Sequence, residues 1–299
     1  MNLQHLRHLI AIAEHGSLRE AARHLNLSQS AITKSLRALE LELGAPLVTR
    51  GSRGSIISPV GRELLVHARL ATAEIARMTE RVRQLTDEGA GRFTIGSAAT
   101  AGLELIAPLL LLFRARYPRA EFTVSGGLPS TLLPRLLDGS LDLVFGPAVD
   151  FAPTTVSSRP LYHSRNVLLV SQSHPLRAAR SLEQLRECEW ILTPDLARPD
   201  SSLGRALASA GVTLGRIVLY TDDPFLSCHL AARSEAVTVL RESFFKGGPL
   251  TSGLVEVPLE NVVLEDQMLV YSRANSPLPF LAQRFVELLG THLASNRVP

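Results

Sequence analysis

Gln29, Ser30, Thr33, Lys34 and Arg37 fall within nine residues at helical spacing. Amide and hydroxyl side chains hydrogen-bond base edges, and Lys and Arg reach guanine or phosphate. The same residues also suit an ordinary solvated helix face. Apolar Ala31, Ile32, Leu36, Leu39 and Leu43 are expected on the opposite side. Just downstream, Arg50 and Arg53 belong to a Gly-Ser-Arg-Gly turn region at 51–54. An arginine on such a turn can enter a minor groove or pair with phosphate, or simply be solvated.

A second set of polar groups lies where strand-like runs give way to helical ones. It comprises Ser97, Ala99 and Thr100; Gly127, Leu128, Ser130 and Thr131; Pro147; Thr193 and Pro194; and Asp222 and Phe225. Backbone N–H groups and hydroxyls at such ends suit a carboxylate or sulfonate. Thr100, Ser130 and Asp223 are equally N-cap candidates, and Pro224 suits the first helical position.

No catalytic residue is assigned. The chain lacks the G-x-S-x-G, H-E-x-x-H and G-x-x-x-x-G-K-[ST] patterns. Gly89-x-Gly91 precedes a strand rather than following one, so it is no phosphate loop. His5 and His8 share a helix face without a carboxylate or cysteine cluster, so no metal and no other cofactor is expected. Cys188 and Cys228 lack metal-ligand spacing. They could form a redox switch, or be small buried apolar residues.

The elements that must carry these groups follow from periodicity. Leu3, Leu6, Leu9, Ile10 and Ala13 predict a helix over 3–14, ended by Gly16. Ser17 with Glu20 forms a capping box for a helix at 18–25, and Ser28 caps a third over 29–43, ended by Gly44. Short strands around 47–50 and 56–57 would form a wing. From Pro59 a long helix is expected, with Leu64, Ala68, Ala71, Ile75, Met78, Val82 and Leu85 in an unbroken a/d pattern. That seam needs a covering helix from a second chain, or a place on its own domain. Residues 89–92 read as a hinge. Beyond them, strands at 93–97, 121–125, 141–145, 167–171, 190–193, 217–220, 236–240 and 268–272 alternate with helices, implying α/β units on mostly parallel sheets. A closing helix is expected over 279–294.

Composition sets the outer bounds. The 299 residues are 45% hydrophobic and 20% charged, which excludes disordered and fibrous classes and fits two or three domains. Two cysteines make no disulfide framework, and the longest apolar run is far short of a membrane span, so a soluble cytoplasmic protein is expected. Aromatics at 5% argue against single-strand stacking as the main activity. Residues 1–92 carry a net +4 and the remainder −1, so an anionic partner is expected at the front.

The run SLREAARHLNLSQSAITKSLRALELELGAPLVTR, followed by GSIISPVG, resembles the LysR-type transcriptional regulators. The resemblance extends more loosely through the rest of the chain. It implies that Gln29, Ser30, Thr33 and Lys34 match base- and phosphate-contacting positions and Arg53 the wing contact. Ser30 stands where the family commonly has proline, and Lys34 where arginine is frequent, which removes a bidentate fork. The resemblance further implies a winged helix-turn-helix (1–58), a dimerising linker helix (59–88), and a periplasmic-binding-protein-like α/β domain (93–299). In that domain, subdomain I would be 93–162 plus 268–299 and subdomain II 163–267, with crossovers near 161–166 and 264–268. The expected function is ligand-modulated binding to a pseudo-palindromic duplex as a homodimer or homotetramer. The second half resembles members responding to aromatic acids or sulfonates. The competing reading is a small-molecule-binding or enzymatic α/β protein with residues 1–58 as an interaction domain.

Overall fold

A computed structural model describes residues 1–51, 54–86, 89–98, 101–247, 251–274 and 276–295. The chain forms two compact units, residues 1–88 with 137–140, and the remainder.

In the first unit, helices α1 (Leu3–His15), α2 (Leu18–His24) and α3 (Gln29–Leu43) precede strands β1 (Val48–Gly51) and β2 (Gly54–Ile57) and helix α4 (Pro59–Thr86). Asn2, Ser17 and Ser28 each cap a helix through a side-chain oxygen, and Gly16 and Gly44 end α1 and α3 in the left-handed conformation. Leu9, Ile12, Ala21, Ile32, Leu39 and Leu47 form the core. Two expected members of the α3 apolar face do not join it. Ala31 and Leu43 are exposed, because they lie at the edges of the buried Ile32–Leu36–Leu39 stripe. Ser58 closes the unit: its hydroxyl donates to the Pro46 carbonyl and accepts from the Gly61 N–H. A Cβ at Gly61 would sit 2.2 Å from the Leu47 carbonyl oxygen, so that approach requires glycine.

The second unit holds a nine-stranded sheet. Its strands are β3 (Gly91–Ser97), β4 (Ala120–Gly126), β5 (Leu143–Pro147), β6 (Val156–Ser171), β7 (Glu189–Leu192), β8 (Ile217–Tyr220), β9 (Ala236–Arg241), β10 (Leu254–Glu256) and β11 (Glu265–Arg273). The order is β4-β3-β5-β11-β6-β9-β7-β8, with β10 on β6. Its helices are α5 (Ala107–Arg116), entered through a π-helical turn Gly102–Ile106, then α6 (Pro129–Leu137), α7 (Ser202–Ala210), α8 (Pro224–Ala231), α9 (Glu242–Gly247) and α10 (Phe280–Ser295).

The sheet is not mostly parallel. Among the described residues, four strand pairings are parallel and four antiparallel. The antiparallel share comes from β6 and β11. At the positions where crossovers are expected, these two strands pass from one half of the sheet into the other, paired as one antiparallel ribbon, 156–165 against 265–273. Gly91 and Arg92, expected in a hinge, are paired with Ala120 and Glu121 in β3. One half packs on a core of Phe93, Phe113, Phe145 and Phe285, and the other on Leu168, Trp190, Leu203 and Val237. Among the described residues no helix is long and apolar enough to cross a membrane.

Candidate functional site

The α3 surface is built by the burial of its other side. With Ile32 and Leu39 fully buried, a helical repeat must turn Gln29, Ser30, Thr33, Lys34 and Arg37 outward, and these five line one shallow surface together. Gln29, Ser30, Lys34 and Arg37 are exposed and Thr33 half-buried. The Thr33 hydroxyl donates to the Gln29 carbonyl (2.8 Å), and the hydroxyls of Ser30 and Ser28 lie 2.9 Å apart. Lys34 and Arg37 have no ion-pair partner among the described residues, so both cations face solvent uncompensated. Glu40 lies one turn beyond Arg37. Its Oε1 accepts from the backbone of Leu47 (2.8 Å) and Val48 (3.2 Å), tying α3 to the start of β1. The Ser55 N–H bonds the Gly16 carbonyl, tying β2 to the turn between α1 and α2. Arg50 lies in β1, paired in register with Ser55. The expected Arg53 contact lies outside the described residues.

On the inner side of α3, His8 of α1 is buried and its Nδ1 lies 2.7 Å from Ser35 Oγ. Burial, followed by the nearby His5, pushes the His8 imidazole below its ordinary value of 6.5.

The α4 seam divides. Ala68 is buried and Leu64 half-buried against the winged-helix core, so this end of the seam is at least partly covered by its own domain. Ala71, Ile75, Met78 and Val82 are exposed. Leu85 lies within the helix.

In the second unit a cavity of about 140 Å³ opens at the carboxyl ends of β3, β5, β7 and β9, where ligands sit in open α/β sheets. Of the expected lining residues, Leu128, Pro147, Thr193 and Asp222 are brought together there. Ser97, Gly127, Ser130, Thr131, Pro194 and Phe225 are not among the lining residues. Buried Ser97 donates to the Ala98 carbonyl, Thr131 donates to the Leu128 carbonyl, and Phe225 packs edge-on against Phe244. Ala99 and Thr100 lie outside the described residues.

The helix N-termini expected to hold an anion are already served by the protein. Asp223 Oδ1 accepts from the N–H groups of Phe225 (2.8 Å) and Leu226 (3.2 Å) at the start of α8. At the start of α6, the Ser130 N–H points to Asp195 Oδ2 (3.4 Å), which comes from the other half of the sheet. Ser130 is therefore not a cap; Leu128 supplies the carbonyl that opens α6. Protein carboxylates thus occupy both helix ends.

The cavity is also lined by residues that strand-end reasoning missed. Arg241, the last residue of β9, lines the cavity and is only 6% exposed. Its Nη1 has no hydrogen-bond partner and its guanidinium makes no ion pair among the described residues. The adjacent Glu242 is taken by Arg165 and Lys246. Asn166 of β6 stands opposite Arg241 in register and donates to Asp266 Oδ2 (2.6 Å) and Ser202 Oγ (3.1 Å). At the mouth, Arg198 pairs with Asp200 through two contacts (3.0 and 3.1 Å) and lies 4.7 Å over the Phe151 ring. The Arg198 hydrogen bond holds the Asp200 carboxyl below its ordinary value. Leu128, Val149, Phe151, Ile191 and Leu196 supply apolar wall. The sequence signal for Arg241 is a charged residue closing the otherwise uncharged strand AVTVLR.

The two cysteines pack in different hydrophobic clusters, and neither lines the cavity. Cys228 is buried beside Ala231, and burial pushes its thiol up to about 11. Cys188 packs against the Trp190 cluster, and burial raises its thiol as well. Neither environment favours a thiolate. Among the described residues no group of three or more His, Cys, Asp or Glu is placed to hold a metal.

Two family models cover nearly the whole chain. Residues 3–62 match the bacterial regulatory helix-turn-helix protein of the lysR family, and residues 86–294 match the LysR substrate binding domain. The chain belongs to the LysR family. It is thus a transcriptional regulator with a DNA-binding and a substrate-binding domain, and not an enzyme. Among LysR-family relatives, the regulator TdcA of Escherichia coli K12 is 26% identical, over 79% of this chain and 76% of that protein. A small neutral protease regulatory protein of Streptomyces coelicolor is 31% identical, over 70% and 69%. The crystal structure of full-length CbnR complexed with its target DNA shares the fold, with TM-score 0.70 at 22% identity, covering 97% of this chain and 99% of that one.

Proposed function

We propose that this LysR-family chain binds a pseudo-palindromic duplex through α3 and the wing, as a homodimer or homotetramer, and that a small anionic effector in the cavity modulates that binding. The observation that carries the DNA-binding reading is the exposed row Gln29–Ser30–Thr33–Lys34–Arg37 with two unpaired cations. CbnR, similar in fold, is known in complex with its target DNA. The exposed Ala71, Ile75, Met78 and Val82 continue the seam beyond the winged domain and supply the dimer contact. Two-fold symmetry then predicts two half-sites. Such a regulator works in the cytoplasm, where its DNA is. The effector is a small organic acid or sulfonate whose anionic group pairs with Arg241. Because it prefers one arrangement of the assembly, it shifts the spacing or bend of bound DNA.

The test is duplex affinity against salt. The wild type loses affinity steeply as salt rises, and Lys34→Ala lowers the log–log slope by about 1. An unchanged slope and affinity in Lys34→Ala and Arg37→Ala would remove this surface from DNA binding.

A further inference from the structure

Arg241 is not the only charge that faces the cavity without a counter-ion. Asp266, half-buried on β11, is oriented by Asn166 but has no cationic partner among the described residues. Asp222 at the rim has no hydrogen-bond or ion-pair partner among them either. The other cavity charges have partners within the protein: Asp200 pairs with Arg198, Asp223 caps the start of α8, and Asp195 accepts from the Ser130 N–H. What is left for a ligand is one buried cation and carboxylates on the same cavity, with Asn166 placed between Arg241 and Asp266 through its strand register and its hydrogen bond.

A simple carboxylate would neutralise Arg241 and be repelled by Asp266 and Asp222. A simple amine would do the reverse and leave a buried guanidinium uncompensated, which is costly. A molecule with both groups on neighbouring atoms satisfies both walls. The remaining lining is apolar, including Leu128, Val149, Phe151 and Leu196, and the cavity of about 140 Å³ suits a small molecule. We propose that the effector is an α-amino acid with an apolar side chain. Its carboxylate lies on Arg241, its ammonium on Asp266 with support from Asp222, and its side chain against the Phe151–Leu196 wall. This rests on the reading of the cavity as the effector site.

Calorimetry on the full chain tests it. The probes are L-valine, L-leucine and L-phenylalanine, each beside its des-amino acid (3-methylbutanoate, 4-methylpentanoate, 3-phenylpropanoate) and its amide. At least one amino acid is expected to bind roughly tenfold or more tighter than both its des-amino and amide counterparts, since each loses one charge-assisted contact. Asp266→Asn is expected to erase the advantage over the des-amino acid, and Arg241→Gln to abolish binding of both. Arg241→Lys, which keeps the charge, and the melting temperature of each unliganded variant separate loss of contact from loss of fold. Equal or tighter binding of the des-amino acids overturns the proposal; if Arg241→Gln removes that binding, the cavity remains the effector site. Amino-acid binding that survives Arg241→Gln overturns both. Binding by neither class overturns the amino-acid assignment, and the duplex experiments then judge the wider reading separately.

Discussion

The α3 surface and the cavity are built by opposite means. On α3, five polar residues come from one helix and nine consecutive positions, and their direction follows from which neighbours are buried. In the cavity, Arg241, Asn166 and Asp266 come from three strands, with 100 positions between the last two. A site made by local periodicity tolerates change in its outward residues without loss of fold. A site made by strand pairing shares its residues with the sheet, so function and stability are coupled there.

The largest effect that sharpens this contrast is on the hidden side of α3. Ile32→Ala should destabilise the winged domain by about 2–5 kcal/mol, read by chemical denaturation, because the side chain is fully buried. Outward, the double variant Lys34→Ala with Arg37→Ala should cost duplex affinity about 1–3 kcal/mol per base-reading contact, with the melting temperature unchanged. A drop in melting temperature would break the separation. Next, Asn166→Ala should lower stability of the second unit by about 1–3 kcal/mol, since it strands Asp266, and should weaken effector response in the same protein. Stability lost without any change in effector binding would show that the cavity does not share its framework with its chemistry. The smallest effect is a pH dependence in the first unit. The His8 pKa is lowered by folding, so the unfolded chain binds the proton more readily. Its contribution is intact above pH 6.5 and is lost as pH falls below it. His8→Gln should flatten that part of a urea-denaturation profile.

The same contrast explains what could be read from the chain alone. Ser17, Ser28, Gly16 and Gly44 act within one turn of themselves, so α1, α2 and α3 were legible from spacing. The α4 pattern was legible as a seam, but not its division. Leu64 and Ala68 fit a partner helix and their own domain equally well, and tertiary packing decides. In the cavity, Thr193 and Asp222 followed from the rule that ligands lie beyond strand ends. Ser130 did not, because Asp195 arrives from the other half of the sheet. Arg241 closes β9 and Asp266 lies near the start of β11, and only the pairing of β6 with both strands brings them together. The antiparallel ribbon was missed for the same reason: its first half, Val156–Asn166, is largely exposed and lacks the apolar run of a buried strand.

That ribbon has a mechanical consequence. Two separate connecting chains would let the halves of the domain swing as on a pair of strings. Two strands laced together along nine paired positions behave instead like a leaf spring, stiff against sliding and compliant in flexion. The spring has a notch, the register irregularity between Met268 and Leu269 opposite Tyr162 and Pro160. Flexion between the two halves of the sheet should therefore concentrate at that one point.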